Sequence, residues 1–132
     1  MVNIKKEDVG VMSYNINTFI LKKLENLKIP VASLYKHDRK DWHPDRQNND
    51  DGTVTFFMLE SKMSGIIEGN IFLCQSIKLQ GEGSGTSIAL ILKPALEDST
   101  GELIASCVWE DGDTINRLIV KDGNVVWENI EI

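Results

Sequence analysis

Cysteine, histidine and arginine are all scarce in this chain of 132 residues, and each scarcity closes off a class of chemistry. The two cysteines, Cys74 and Cys107, form no Cys-x-x-Cys pair and have no Cys/His spacing, which removes zinc fingers and thioredoxin-type redox motifs, and nothing in the sequence asks for a disulfide between them. Both fall in stretches that read as strands, where cysteine packs as a small apolar residue, so buried free thiols are expected. The two histidines share one polar segment and there is no Gly-x-Ser-x-Gly elbow, which leaves little for nucleophilic catalysis. No apolar run approaches the ~20 residues needed to span a bilayer. The first residues, Met-Val-Asn-Ile-Lys-Lys-Glu-Asp, place acids directly after lysines and lack the continuous apolar region of a signal peptide. A cytoplasmic protein without a membrane partner is therefore expected. Lysine outnumbers arginine 11 to 3, and Ile and Asn are frequent, which suits an AT-rich bacterial or phage genome.

What is present is the composition of an ordinary globular domain. A hydrophobic content of 42% and a charged content of 26% argue against disorder, and the length suits a single domain spanning residues 1–132. The net charge of −6 disfavours a nucleic-acid polymer as partner. Charge is uneven: residues 1–46 carry nine basic and six acidic groups, residues 47–132 five and fourteen. Such polarity suits a homodimer in which one end of a subunit faces the other end of its neighbour; neutralisation within one molecule is the simpler reading.

From Asn15 to Leu27 the apolar residues Ile16, Phe19, Ile20, Leu24 and Leu27 recur at steps of three and four, the period of a helix face. This predicts an amphipathic helix over about 15–28, ended by Pro30. A polar, turn-rich loop is expected over 36–52. Period-two alternation then predicts strands at about 53–60, 66–79, 86–93, 102–110, 114–121 and 124–130, the second long enough to need a bend at Gly69 or Gln75. The dipeptides Asp111-Gly112 and Asp122-Gly123 read as two-residue hairpin turns, because type I′ geometry needs positive φ at both central positions. The expected fold class is α+β, mainly β: an N-terminal amphipathic helix packed on a six-stranded antiparallel meander sheet, curled or barrel-like.

Chemistry gathers in the segment 36–46. It holds His37 and His43, two of the three arginines, Arg39 and Arg46, and Trp42. Arginine presents a planar fork of donors to phosphate or carboxylate, tryptophan a stacking face, and histidine a donor that titrates near neutrality. Together they suit a nucleotide, a phosphorylated metabolite or an acidic protein surface, although Asp38, Asp41 and Asp45 alternate with them and would neutralise a purely solvated stretch. A metal site from His37, Asp38, Asp41, His43 and Asp45 has the wrong spacing, so no metal and no cofactor are expected. The Gly81–Gly85 run contains Glu82 and precedes a strand, which makes it a hairpin loop and not a phosphate cradle. Arg117 is the one arginine inside a strand. On a concave sheet face it would anchor a ligand; on a solvated face it would pair across strands with Glu110 or Glu128.

These features point to a small non-enzymatic binding protein of inhibitor, immunity or anti-defence type, holding an anionic small molecule or a protein partner. The rival readings are a small barrel or cone-type hydrolase or isomerase with a loop histidine as base, and an assembly subunit that uses its sheet edges.

Overall fold

The computed structural model describes residues 14–36, 44–58, 61–80, 82–83, 92–109 and 114–131. Its strands are β1 (Tyr14–Pro30), β2 (Asp45–Asn48), β3 (Val54–Met58), β4 (Ser61–Glu68), β5 (Ile71–Lys78), β6 (Glu82–Gly83), β7 (Thr100–Trp109), β8 (Thr114–Lys121) and β9 (Asn124–Glu131). A 3-10 helix occupies Val31–Tyr35, and a short helix, α1, occupies 92–97. The strands form one antiparallel sheet in the order β2-β3-β4-β5-β1-β7-β8-β9, with the two-residue β6 paired to the start of β1. The path has two free edges, β2 and β9, so the sheet is not closed.

This architecture overturns the expected N-terminal helix. Residues 15–28 are the middle strand of the sheet, paired to β5 on one side and to β7 on the other. The misleading signal has a physical origin. Strand β1 carries three irregularities against β7, between Ile16 and Thr18, between Leu21 and Lys23, and between Glu25 and Lys28. Each inserts one extra residue, so two core-facing side chains that would sit two apart sit three apart. Ile16, Phe19, Leu24 and Leu27 thus turn to the core at steps of three, five and three, which imitates a helical stripe. Ile20, the fifth member of that stripe, stands 44% exposed on the other face. Asn26 adopts φ +50° at the last bulge, a conformation that asparagine tolerates better than most residues.

The single meander is corrected as well. Eight strands lie along the path where six were expected, and β1 divides them into two meanders, β2 to β5 and β7 to β9. The long strand expected at 66–79 is two strands: Gly69, at φ +64°, and Asn70 reverse the chain between β4 and β5. Gln75 is the unpaired bulge residue on β5, because Ser64 pairs with Ser76 and Gly65 with Cys74. Of the strand expected at 86–93, residues 86–91 lie outside the described residues and α1 begins at 92. Residues 45–48, read as loop, form an edge strand whose four side chains are all exposed. Short, charged edges of this kind resist pairing with other chains, and they leave no periodic signal.

The core lies on one face of the sheet. Leu27, Ile29, Phe56, Phe72, Leu103 and Val120 are buried there, beneath Leu34 of the 3-10 helix and Leu92, Ala95 and Leu96 of the α1 segment. Phe56 and Phe72 meet edge to face at 5.1 Å. The Asp122-Gly123 turn has φ +46° and +84°, as a type I′ turn requires. It also docks on the start of β7: Gly101 N donates to Asp122 Oδ1 at 2.9 Å, and Asp122 N donates to Gly101 O at 2.9 Å. Gly101 in turn faces the Asn26 bulge so closely that an added Cβ would stand 2.0 Å from Asn26 O. The turn, β7 and the bulge of β1 are therefore locked by backbone contacts.

Candidate functional site

Of the residues expected to form a site, His37, Arg39, Trp42 and His43 lie outside the described residues. Arg46 and Arg117 lie within them, on β2 and β8, far apart in the strand order. Their surroundings differ. Arg117 Nε stands 3.6 Å from Glu128 Oε1, the carboxylate directly opposite it on β9. Arg46 has no carboxylate within ion-pair distance among the described residues. Its Nε donates to Asn48 Oδ1 at 3.1 Å, and its guanidinium lies 5.9 Å from the centre of the Phe56 ring.

Phe56 is also where the other end of the 36–46 segment is fixed. Tyr35 packs edge to face on the same ring at 6.4 Å. The two contacts follow from local structure. Pro30 ends β1 and the chain turns through the 3-10 helix over the core, which seats buried Leu34 and leaves Tyr35 partly exposed. Arg46 reaches the ring because it pairs directly with Phe56 in the β2–β3 register, and directly opposed residues share a face. Both described ends of the segment thus converge on one buried aromatic.

The cation at the first end is already satisfied. Lys36 Nζ lies 2.7 Å from Asp98 Oδ2, which also accepts from Ser33 Oγ at 2.7 Å. These two hydrogen bonds, that from Lys36 first, hold the Asp98 carboxyl below its ordinary range. Lys23 and Glu102 form a similar pair at 2.9 Å across β1 and β7; the bond raises the lysine and lowers the carboxylate. What distinguishes Arg46 is an exposed, permanently charged fork whose one side-chain hydrogen bond among the described residues is to a neutral amide. Such a group can take a phosphate or carboxylate without first breaking an ion pair.

Two further arrangements were not read from the sequence. Thr55 on β3 shares a hydrogen bond with Ser64 at 2.8 Å and accepts from Asn49 Nδ2 at 3.0 Å, which stiffens the β2–β3 hairpin. Deeper, Trp109 Nε1 donates to Asn116 Oδ1 at 2.6 Å, and the Asn116 amide donates to Glu128 O at 3.4 Å and to Asn129 Oδ1. Asn116 is 2% exposed and fully engaged, a structural role. The only available signal was its place between Ile115 and Leu118 in an apolar strand, which says polar and inward without naming a partner. Cys74 and Cys107 are free buried thiols, each pushed up to about 12 by burial away from water, and so poor nucleophiles. Among the described residues no group of three or more His, Cys, Asp or Glu side chains is placed to hold a metal ion. Nor, among them, is any helix long and apolar enough to cross a membrane.

Compared with protein-family models, curated proteins and solved structures, the chain finds no match in any of the three.

Proposed function

We propose that the protein is a small non-enzymatic binding protein, of inhibitor, immunity or anti-defence type, that holds an anionic small molecule such as a nucleotide at its 36–46 segment. One observation carries this reading: Tyr35, just before the segment, and Arg46, at its end, meet on the Phe56 ring, and Arg46 presents a guanidinium with no carboxylate partner among the described residues. The reading places the protein in the cytoplasm of a bacterium, or as a phage product there, and includes a homodimer.

The contrast with Arg117 is what favours Arg46 as the contact. A ligand anion at Arg117 must displace Glu128, whereas at Arg46 it meets a fork already oriented by Phe56 and Asn48. Isothermal titration of the full chain against nucleotides and cyclic nucleotides tests the proposal. A charge-assisted hydrogen bond is worth about 1.5–3 kcal/mol, so Arg46→Ala should weaken binding by at least about tenfold. Absence of binding by the unaltered protein, or equal affinity in Arg46→Ala, refutes it.

A further inference from the structure

The face of the sheet turned away from the core carries apolar side chains. Across β4 and β5 they are confined to rows broken by polar ones, with Ser64–Ser76 and Lys62–Lys78 beside Ile66–Leu73. Across β7, β8 and β9 the rows run Val108–Ile115–Ile130, Ser106–Arg117–Glu128 and Ile104–Ile119–Val126. These residues alternate with the buried Cys107, Leu118 and Val120, so they stand on the opposite face. An antiparallel sheet with one face to water ordinarily alternates apolar inward with polar outward. Here two of four outward rows, Glu102–Lys121–Asn124 being the fourth, are Ile and Val, and Val126 is 38% exposed. The 3-10 helix and the α1 segment both contribute to the core cluster on the other side.

We propose that the outer face of β8 and β9 is the docking surface for a second copy of this chain. The charge pattern selects that occupant. The only charged row among the three holds one cation and one anion side by side, Arg117 on β8 and Glu128 on β9. A two-fold axis running parallel to the strands, midway between β8 and β9, carries β8 of one copy over β9 of the other. Arg117 then lies over Glu128 of the second copy and the reverse, while Ile119 opposes Val126 and Ile115 opposes Ile130. An isologous contact demands this kind of self-complementary patch. The neighbouring row of the two strands adds Lys121 opposite Asn124. The outward rows of β8 and β9 thus carry two cations and one anion on a chain of net charge −6, so two copies meet here away from their acidic surface.

The contact is small. Two strands of eight residues cover roughly 25 Å by 10 Å, well below the ~800 Å² per partner of a standard interface. The dimer is accordingly reversible, and it rests on the homodimer of the proposed function, independently of the 36–46 segment.

Sedimentation equilibrium of the full chain, up to about 1 mM, tests it. The unaltered protein should show concentration-dependent dimerisation. Val126→Lys, at an exposed edge position, should abolish it while leaving the thermal melt nearly unchanged. Arg117→Glu and Glu128→Arg should each weaken self-association by at least about tenfold, because like charges then face each other. An equimolar mixture of these two variants should dimerise again, since each now supplies the charge the other lacks. That recovery separates a contact between copies from the ion pair within one chain. A strictly monomeric protein, an unaffected Val126→Lys dimer, or a mixture that stays monomeric overturns the proposal. Arg46→Ala should dimerise normally, so loss of ligand binding and loss of dimerisation are read separately.

Discussion

Replacing Gly101 by alanine probes the least expected feature of this fold, the passage of residues 14–30 as a bulged strand through the middle of the sheet. The new Cβ would lie 2.0 Å from Asn26 O, 2.4 Å from Asn26 C and 2.6 Å from Glu25 O, all backbone atoms that no rotamer change can move. The residue also holds φ +96°, where an L side chain is strained. Strain at such a position costs about 1–3 kcal/mol, and pushing a packed neighbour aside costs about 1–3 kcal/mol more. The expected loss is therefore about 2–6 kcal/mol. Gly52→Ala is the control, since Gly52 has a similar φ of +89° but nothing within 4 Å of an added Cβ. It should show the strain alone, about 1–3 kcal/mol, and so a smaller loss than Gly101→Ala. With an unfolding entropy near 0.28 kcal/mol/K for a chain of this length, about 3 kcal/mol lowers Tm by about 11 °C. Calorimetry on both variants, with urea unfolding as a second measure, decides. Equal losses at the two sites would mean that no backbone carbonyl faces Gly101, and the bulge at Asn26 would fall with it.

Three other expectations follow from the same geometry. Leu27→Ala, at a fully buried site on β1, should cost about 2–5 kcal/mol by urea unfolding, whereas Ile20→Ala on the exposed outer face should cost under about 1 kcal/mol; similar losses would favour a helical stripe. Asn116→Ala leaves the buried Trp109 indole N–H without its acceptor and should cost about 1–3 kcal/mol, checked against Trp109→Phe in a double-mutant cycle; additive losses would mean the bond contributes nothing. The two thiols are held up at about 12 when folded and titrate near 8.5 in an unfolded chain, so the unfolded state releases protons that the native state keeps across that window. Their contribution is intact below about pH 8.5 and falls as pH rises, by about 1.4 kcal/mol per unit for each thiol. Unfolding midpoints from pH 8.5 to 10.5 should drop more steeply in the unaltered protein than in a Cys74→Ala, Cys107→Ala variant, and equal slopes would contradict the burial.

What could be read from the sequence was decided by the range of the interaction behind each feature. The β8–β9 hairpin is legible because a two-residue turn at Asp122-Gly123 sets its register, and that register alone puts Arg117 opposite Glu128. The place of β1 is not. Its partners lie on β5 and β7, dozens of residues away, and no local pattern says which distant strands a segment will join. Its own pattern pointed elsewhere, because the bulges after Ile16 and after Glu25 set Ile16 and Phe19, and Leu24 and Leu27, three residues apart, a helical step. Residue type was the remaining clue: Ile16, Thr18 and Ile20 are β-branched and Phe19 aromatic, a set that prefers a pleated surface to a helix. Spacing and residue type disagreed, and residue type had the better physical warrant, since bulges alter spacing but leave χ1 restriction untouched.

The same distinction governs the candidate site. Clustering of His, Arg and Trp in 36–46 was visible as composition, yet composition does not say which cation is available. Lys36 is neutralised by Asp98, a residue 62 positions away. Arg117 is neutralised by its neighbour in a hairpin. Among the described residues Arg46 is left with a neutral partner, because β2 is a short edge strand on which Asn48 and Phe56 are the groups it meets. Availability of charge is thus a property of the sheet edge. It follows that moving a carboxylate to Arg46, as in Asn48→Asp, should close the site to anions while preserving the hairpin. The measurement is the same titration, with Asn48→Asp expected to bind nucleotides at least about tenfold more weakly. Undiminished affinity in that variant would show that the anion, if bound, rests on other groups.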